Sequence, residues 1–172
     1  MKEVIKYSQC FVCGEENESG LKVKFFYENG KVKAEYIASN KFQGYKDILH
    51  GGIISALLDE VMIKAVLAKG VLAVTCEMSI EFKQPRHRRG EKLLLEGEIV
   101  SARGGSAYGR EDKEKIFWTK GKVTKTDNTL VALGTGKYVK INEKLRKLLE
   151  NSLEWSVVRM HLETRSVKRF AR

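Results

Sequence analysis

His50-Gly51-Gly52 opens a nearly all-apolar run in which one carboxylate, Asp59, stands nine positions after the histidine. Between Ile53 and Ala68 the other strongly polar residues are Ser55, Glu60 and Lys64. Two glycines at the start of a helix let another group approach the backbone. The first N–H groups of that helix have no partner inside it and point outward at the positive end of the dipole. Such a terminus suits a developing oxyanion. Burying an unpaired carboxylate among Ile, Leu and Val is costly, which marks Asp59 as a residue kept for chemistry or for hydrogen bonding. The pattern offers an anion site at the Gly51 and Gly52 N–H groups and a base at Asp59, the plainer alternative being a packing helix with Asp59 on its wet edge. Ser55 and Asp59 share a face, whereas Glu60 and Lys64 form a second i,i+4 pair that is expected to reach water.

The elements that must position these residues follow from periodicity. Leu21 to Tyr27 and Val32 to Ile37 alternate with period two, and Asn29-Gly30 between them is a hairpin signal. A loop from Ser39 to Leu49 leads into the long helix, which ends near Lys69-Gly70. Strand patterns then run over Leu72 to Phe82, Lys92 to Ala102, Ile116 to Lys125 and Leu130 to Tyr138, with a turn at Thr126-Asp127-Asn128-Thr129. One long buried helix after a hairpin, followed by four antiparallel strands, predicts an α+β fold in which the sheet wraps the helix. Residues 141–172 carry partial helical periodicity through Leu145, Leu148, Leu149, Leu153, Trp155, Val157, Val158 and Leu162. They read as a basic helical extension whose apolar face docks on the body, a basic polar face that could meet a membrane or a partner being the less common outcome.

His50-Gly51-Gly52 with Leu58-Asp59-Glu60 resembles the hotdog-fold acyl-CoA thioesterases, specifically their PaaI-like branch. Thr75-Cys76-Glu77-Met78-Ser79-Ile80-Glu81-Phe82-Lys83-Gln84-Pro85 is similar to that family's next strand, and Val131-Ala132-Leu133-Gly134-Thr135-Gly136-Lys137-Tyr138 to its last. Cys10-Phe11-Val12-Cys13-Gly14, followed by Gly20-Leu21, resembles the N-terminal signature of a bacterial and archaeal subset. The resemblance spans roughly residues 10–140 and implies a hotdog domain over 1–140, with 1–20 as its CxxCG segment. It implies a homodimer or dimer of dimers, in which the acid of one subunit faces the helix N-terminus of the other. His50 then orients the loop, and Thr75 supplies a hydroxyl near the thioester. Where some relatives carry a water-positioning Asn, six residues before the histidine, this chain has Gly44, with Gln43 next to it as a substitute.

The nucleotide end of coenzyme A needs cations near the strand ends. Phe82, Lys83, Pro85, Arg86 and Arg88, then Arg103, Gly104 and Ser106, fall at positions similar to the family's CoA-contacting loops. Arginine suits phosphate through bidentate bonding. Gly52, Gln43 and Ser55 complete the expected substrate contacts.

At 172 residues and 42% hydrophobic the chain can bury a sizeable core. Met1-Lys2-Glu3 leads into no apolar signal segment, and no run approaches the roughly 20 residues needed to span a bilayer, so a cytoplasmic protein is expected. The net charge of +10 is spread: residues 143–172 carry +4 of it and the rest +6. A polyanion such as CoA fits that charge. A nucleic-acid partner is not expected, because Arg86 to Arg89 lacks interleaved aromatics. Cys10 and Cys13 have CxxC spacing but no second pair. The segment reads as a tight knuckle with reduced thiols and no metal; a zinc site would need His87, Cys76 or a second subunit to complete it. Cys76, inside a strand pattern, reads as a small core residue. No cofactor is called for. The reading is therefore an acyl-CoA thioesterase acting on a small or medium acyl or aryl thioester. The alternative is a hotdog protein that binds an acyl or CoA ligand without turnover.

Overall fold

A computed structural model of the chain describes residues 1–84, 90–104, 116–142 and 145. Its frame is one antiparallel sheet whose strands are β1 (Lys2–Glu3), β2 (Phe25–Glu28), β3 (Lys31–Ile37), β6 (Ala73–Phe82), β7 (Lys92–Arg103), β8 (Ile116–Lys125) and β9 (Leu130–Lys140). Their spatial order is β1-β2-β3-β7-β8-β9-β6. A short hairpin of β4 (Gln43–Tyr45) and β5 (Ile48–Leu49) precedes α1 (Gly51–Leu67), the one long helix among the described residues.

The helix is the core of the molecule. Ile54, Leu57, Leu58, Val61, Met62, Ala65 and Val66 are buried on it, and it packs chiefly against β7 and β8. The inner face of the sheet answers with Val32, Leu93, Leu95, Phe117 and Val123. Each such side chain contributes about 1.5–3 kcal/mol on burial. On the outer face, Lys31 and Lys122 both reach Glu96, at 2.8 and 3.3 Å, while Lys120 meets Glu98 at 3.2 Å. Alternation along β3, β7 and β8 thus divides a core face from a charged one, as period-two patterning requires.

The hairpin between β2 and β3 turns through Asn29 and Gly30, both at positive φ (50° and 85°), the geometry of a two-residue primed turn. Strand β2 begins later than the alternation from Leu21 predicts. Lys22 sits at φ 54°, and Val23 donates its N–H to Val12 O at 2.9 Å instead of joining β3. The apolar residues before Phe25 therefore bind the N-terminal segment down.

That segment overturns one expectation. Glu60 and Lys64 pair at 3.2 Å, but not in water: Lys64 is completely buried and Glu60 nearly so. Val4, Ile5, Val12 and Cys13 lie over this side of α1 and seal it. The Lys64 ammonium donates to Ile5 O and, at 3.4 Å, to Cys13 Sγ, and stands 5.1 Å from the centre of the Tyr7 ring. A second correction concerns Cys76, which is exposed. It falls where the β6–β9 register shifts between Thr75 and Glu77, on an edge strand with no further strand beside it among the described residues.

Of the expected C-terminal extension, only Ile141, Asn142 and Leu145 are described. Ile141 donates to Leu72 O at 3.0 Å and is buried, and the Leu145 N–H is capped by Asn142 Oδ1 at 2.9 Å. The rest of residues 141–172 lies outside the described residues. Among the described residues no helix is long and apolar enough to cross a membrane.

Candidate active site

Helix α1 begins where the residue types say it should. His50 is its N-cap: the His50 Nδ1 accepts the Gly52 N–H at 2.8 Å, in the way a capping side chain satisfies an orphan donor. The proton of a neutral His50 ring therefore sits on Nε2. The His50 carbonyl takes the Ile53 and Ile54 N–H groups, at 2.9 and 3.4 Å. With Gly52 engaged by the imidazole, the Gly51 N–H is the first-turn donor with no hydrogen-bond partner among the described residues. Phe82, half-exposed at the end of β6, lies beside it, with its Cζ 3.5 Å from where a Gly51 Cβ would be. The Phe42–Gly44 segment closes the other side. His50 donates its backbone N–H to Phe42 O at 2.9 Å, and a Cβ on Gly44 would lie 3.2 Å from His50 Cδ2. Gln43 is exposed in β4, next to this contact.

Further along α1, Asp59 is half-buried and doubly held. Thr75 Oγ1 and Tyr138 Oη both stand 2.9 Å from Asp59 Oδ1, and the tyrosine hydroxyl is also 3.2 Å from the Asp59 carbonyl. The cost of placing a carboxylate here is thus offset by hydroxyl donors rather than by a cation. Asp59 Oδ2 has no hydrogen-bond partner among the described residues.

Tyr138 is fully buried on β9. Burial raises its pKa well beyond the usual phenol range, and the Asp59 charge raises it further, so it remains a donor. Its ring folds back over Gly136, where a Cβ would come within 2.6 Å of Tyr138 Cε2. Only glycine fits there. The sequence reading placed Tyr138 in a strand but not at the site; the signal available was a tyrosine two residues after a glycine in an apolar strand.

Ser55, on the same face as Asp59, turns its hydroxyl back to Gly51 O at 3.0 Å. The structure therefore gathers the predicted residues into two groups, one around His50, Gly51 and Phe82, the other around Asp59 and Thr75. Along the helix these groups are separated by roughly 13 Å, given 1.5 Å of rise per residue. One carbonyl carbon cannot touch both within one chain.

Of the expected phosphate contacts, Lys83 pairs with Glu81. Arg103 lies over the Trp118 ring, 5.6 Å from its centre. Gly104 ends the described part of its loop, while Pro85, Arg86, Arg88 and Ser106 lie outside the described residues.

The edge strand β6 supplies the remaining feature. Eight of its ten residues are exposed. Met78, Ile80 and Phe82 alternate on one face, the register shift at Cys76 brings Thr75 onto it too, and the Thr75 and Phe82 side chains reach α1 at Asp59 and Gly51. An exposed strand of this length with apolar residues along it is a ready surface for another chain.

Comparison with known proteins gives this geometry a family. Residues 46–110 match the family model described as "Thioesterase superfamily". Among solved structures, the Escherichia coli PaaI protein from the phenylacetic acid degradation operon superposes with a TM-score of 0.58 at 19% identity, over 71% of this chain and 81% of that one. A Streptococcus mutans protein bound to acetyl-CoA gives 0.58 at 24% identity, over 69% and 89%. A hypothetical thioesterase from Streptococcus pneumoniae with coenzyme A gives 0.59 at 20% identity, over 70% and 86%. Structures of that last protein also exist with an aspartate and with a threonine replaced by alanine, two residues sixteen apart in its sequence. A search of curated proteins finds no match. Residues 46–110 thus match the thioesterase superfamily model, and the chain has the hotdog fold of the PaaI-like structures.

Proposed function

We propose that the protein is an acyl-CoA thioesterase that hydrolyses a small or medium acyl or aryl thioester. The observation that carries this reading is the Asp59 carboxylate, with two hydroxyls on Oδ1 and Oδ2 left for chemistry. The sixteen-residue separation of Asp59 and Thr75 is that of the aspartate and threonine replaced in the Streptococcus pneumoniae thioesterase. In the proposed reaction the Gly51 N–H polarises the thioester carbonyl; one such donor is worth about 3 kcal/mol in other acyl-transfer sites. Asp59 Oδ2 takes a proton from water as its oxygen attacks the carbonyl carbon, or attacks that carbon itself. The C–S bond then breaks: in the first route the proton on Asp59 passes to the departing thiolate, and in the second the resulting Asp59 anhydride is hydrolysed by water, which regenerates the carboxylate and supplies the thiol's proton, so both give an acid and a thiol.

The 13 Å between the two groups requires a homodimer, or a dimer of dimers, in which Asp59 of one subunit faces the partner subunit's Gly51. The bare β6 edge supports that arrangement. Arg103, Lys83 and the loops that follow them are the residues to hold the CoA phosphates, which also gives the net positive charge a use. Residues 1–140 form the catalytic domain in this reading.

The test is thiol release from a panel of aliphatic and aromatic acyl-CoAs by the wild type and by Asp59→Asn. Turnover that collapses in the variant supports the reading and identifies the acyl class. No turnover on any member by folded wild type overturns it in favour of a protein that binds its ligand without hydrolysis.

A further inference from the structure

The side of α1 opposite Asp59 carries a second cluster that the thioesterase reading does not use. Cys10, Cys13 and Glu60 bring one ligand atom each to within 4.8 Å of one another. Glu60 is the residue that the sequence alone left out of account for the CxxC pair, because it was expected in water.

The hydrogen bond between the two cysteines holds the Cys10 thiol below its usual range, and that pairing, with burial, holds Cys13 above it. Cys10 Sγ accepts the Val12 and Cys13 N–H groups at 3.3 and 3.4 Å, and Cys13 Sγ accepts the Tyr7 backbone N–H together with the Lys64 ammonium. Four donors aimed at two sulfurs favour negative charge on them. The turn that makes this possible closes with the Gly14 N–H on Cys10 O at 2.9 Å. It is too tight for a side chain, since a Cβ on Gly14 would lie 2.4 Å from Ser8 O.

We propose that Cys10, Cys13 and Glu60 bind a zinc ion that fastens the N-terminal segment to the central helix. Tetrahedral zinc, with Zn–S near 2.3 Å and Zn–O near 2.0 Å, separates its ligand atoms by about 3.5–3.8 Å. Cys10 Sγ stands 3.9 Å from each Glu60 oxygen, a few tenths of an ångström from that spacing, and no pair in the set is more than 4.8 Å apart, so a shift of at most about 1 Å closes the site. Water takes the fourth position. Lys64, 3.2 Å from Glu60, stays outside the coordination shell as an ammonium. Two thiolates, one carboxylate, the zinc and that ammonium then sum to zero charge, as a buried site requires. Binding releases the two thiol protons and forms two Zn–S bonds, with no change of oxidation state.

The full chain, purified under reducing conditions with zinc in the medium, is expected to hold one zinc per chain. Cobalt added to the metal-depleted protein is expected to give sulfur-to-cobalt charge-transfer absorption in the near ultraviolet. That absorption disappears in Cys10→Ser and Cys13→Ser, and the metal binds at least tenfold more weakly in Glu60→Gln. Labelling of the wild type with a maleimide needs no variant: zinc protects Cys10 and Cys13 while Cys76 reacts with or without metal. Any of three results overturns the proposal: no cobalt absorption with both thiols equally reactive with and without zinc, a Cys10–Cys13 disulfide found by mass, or unchanged affinity in Glu60→Gln.

Discussion

Asp59 and Glu60 are consecutive residues on one helix, yet they live in different media. Asp59 faces the mouth between α1 and β6 and is held by neutral hydroxyls from Thr75 and Tyr138. Glu60, about 100° around the helix, faces the covering N-terminal segment and is held by a buried ammonium and by Cys10. A tyrosine stands by each: fully buried Tyr138 beside Asp59, partly buried Tyr7 near Glu60. Neutral donors leave Asp59 its negative charge and one open oxygen. A cation at hydrogen-bond distance spends the charge of Glu60 on holding the fold together. What a carboxylate does here is decided by its partners, not by its place in the sequence.

The sharpest way to break this contrast is to neutralise Asp59 and, separately, the cation that holds Glu60. Asp59→Asn is expected to lower kcat/KM by about 10²–10⁴-fold, the range of a lost general base, with the unfolding midpoint nearly unchanged. Glu60 should behave in the opposite sense. Removing its partner in Lys64→Met leaves a buried carboxylate without its cation, and urea unfolding should show a loss of about 3–5 kcal/mol. Activity that survives in Asp59→Asn, or stability that survives in Lys64→Met, would erase the distinction.

Tyr138→Phe tests the hydroxyls specifically. It removes one of the two donors on Asp59 and is expected to cost about tenfold in turnover, with about 1 kcal/mol of stability, the scale of one hydrogen bond. The gentlest test is an alkaline spectroscopic titration of the tyrosines. Burial first, then the neighbouring carboxylate, raises the pKa of both Tyr7 and Tyr138 above the ordinary phenol value. In the folded state these two should therefore stay protonated above the pH at which an unfolded tyrosine ionises, about 10. The sign follows from linkage: the unfolded chain loses these protons first, so their contribution to stability is intact below about pH 10 and drains away above it. Ionisation of all tyrosines in one step, before unfolding, would mean that neither ring is sealed.

Much of the frame was readable from local patterns because those patterns are local physics. Asn29-Gly30 turns where it should, Lys92 and Ile116 start strands as their alternation predicts, and α1 runs from the Gly-Gly pair to the expected end near Gly70. Asp59 and Gly51 stood out because a carboxylate in an apolar helix is expensive and a glycine pair at a helix start is permissive. The misreadings share a cause. Whether Glu60 and Lys64 meet water depends on Val4 to Cys13 folding over them, some fifty residues away in sequence. Cys76 looks internal because its strand alternates, but a strand at the edge has less to pack against. Tyr138 reaches Asp59 across the sheet and the helix, 79 positions apart. Long-range burial leaves no periodic trace.

The strand order sets a schedule for the growing chain. Strand β6 leaves the ribosome directly after α1, but its neighbour in the sheet is β9, the last strand described. Everything between Phe82 and Leu130 must be made before β6 can pair. At 5–20 residues per second the wait is roughly 2–10 s. Throughout it Met78, Ile80 and Phe82 have no strand beside them, so the newborn protein passes through an interval in which its own edge is a binding site for a chaperone or for a second nascent chain.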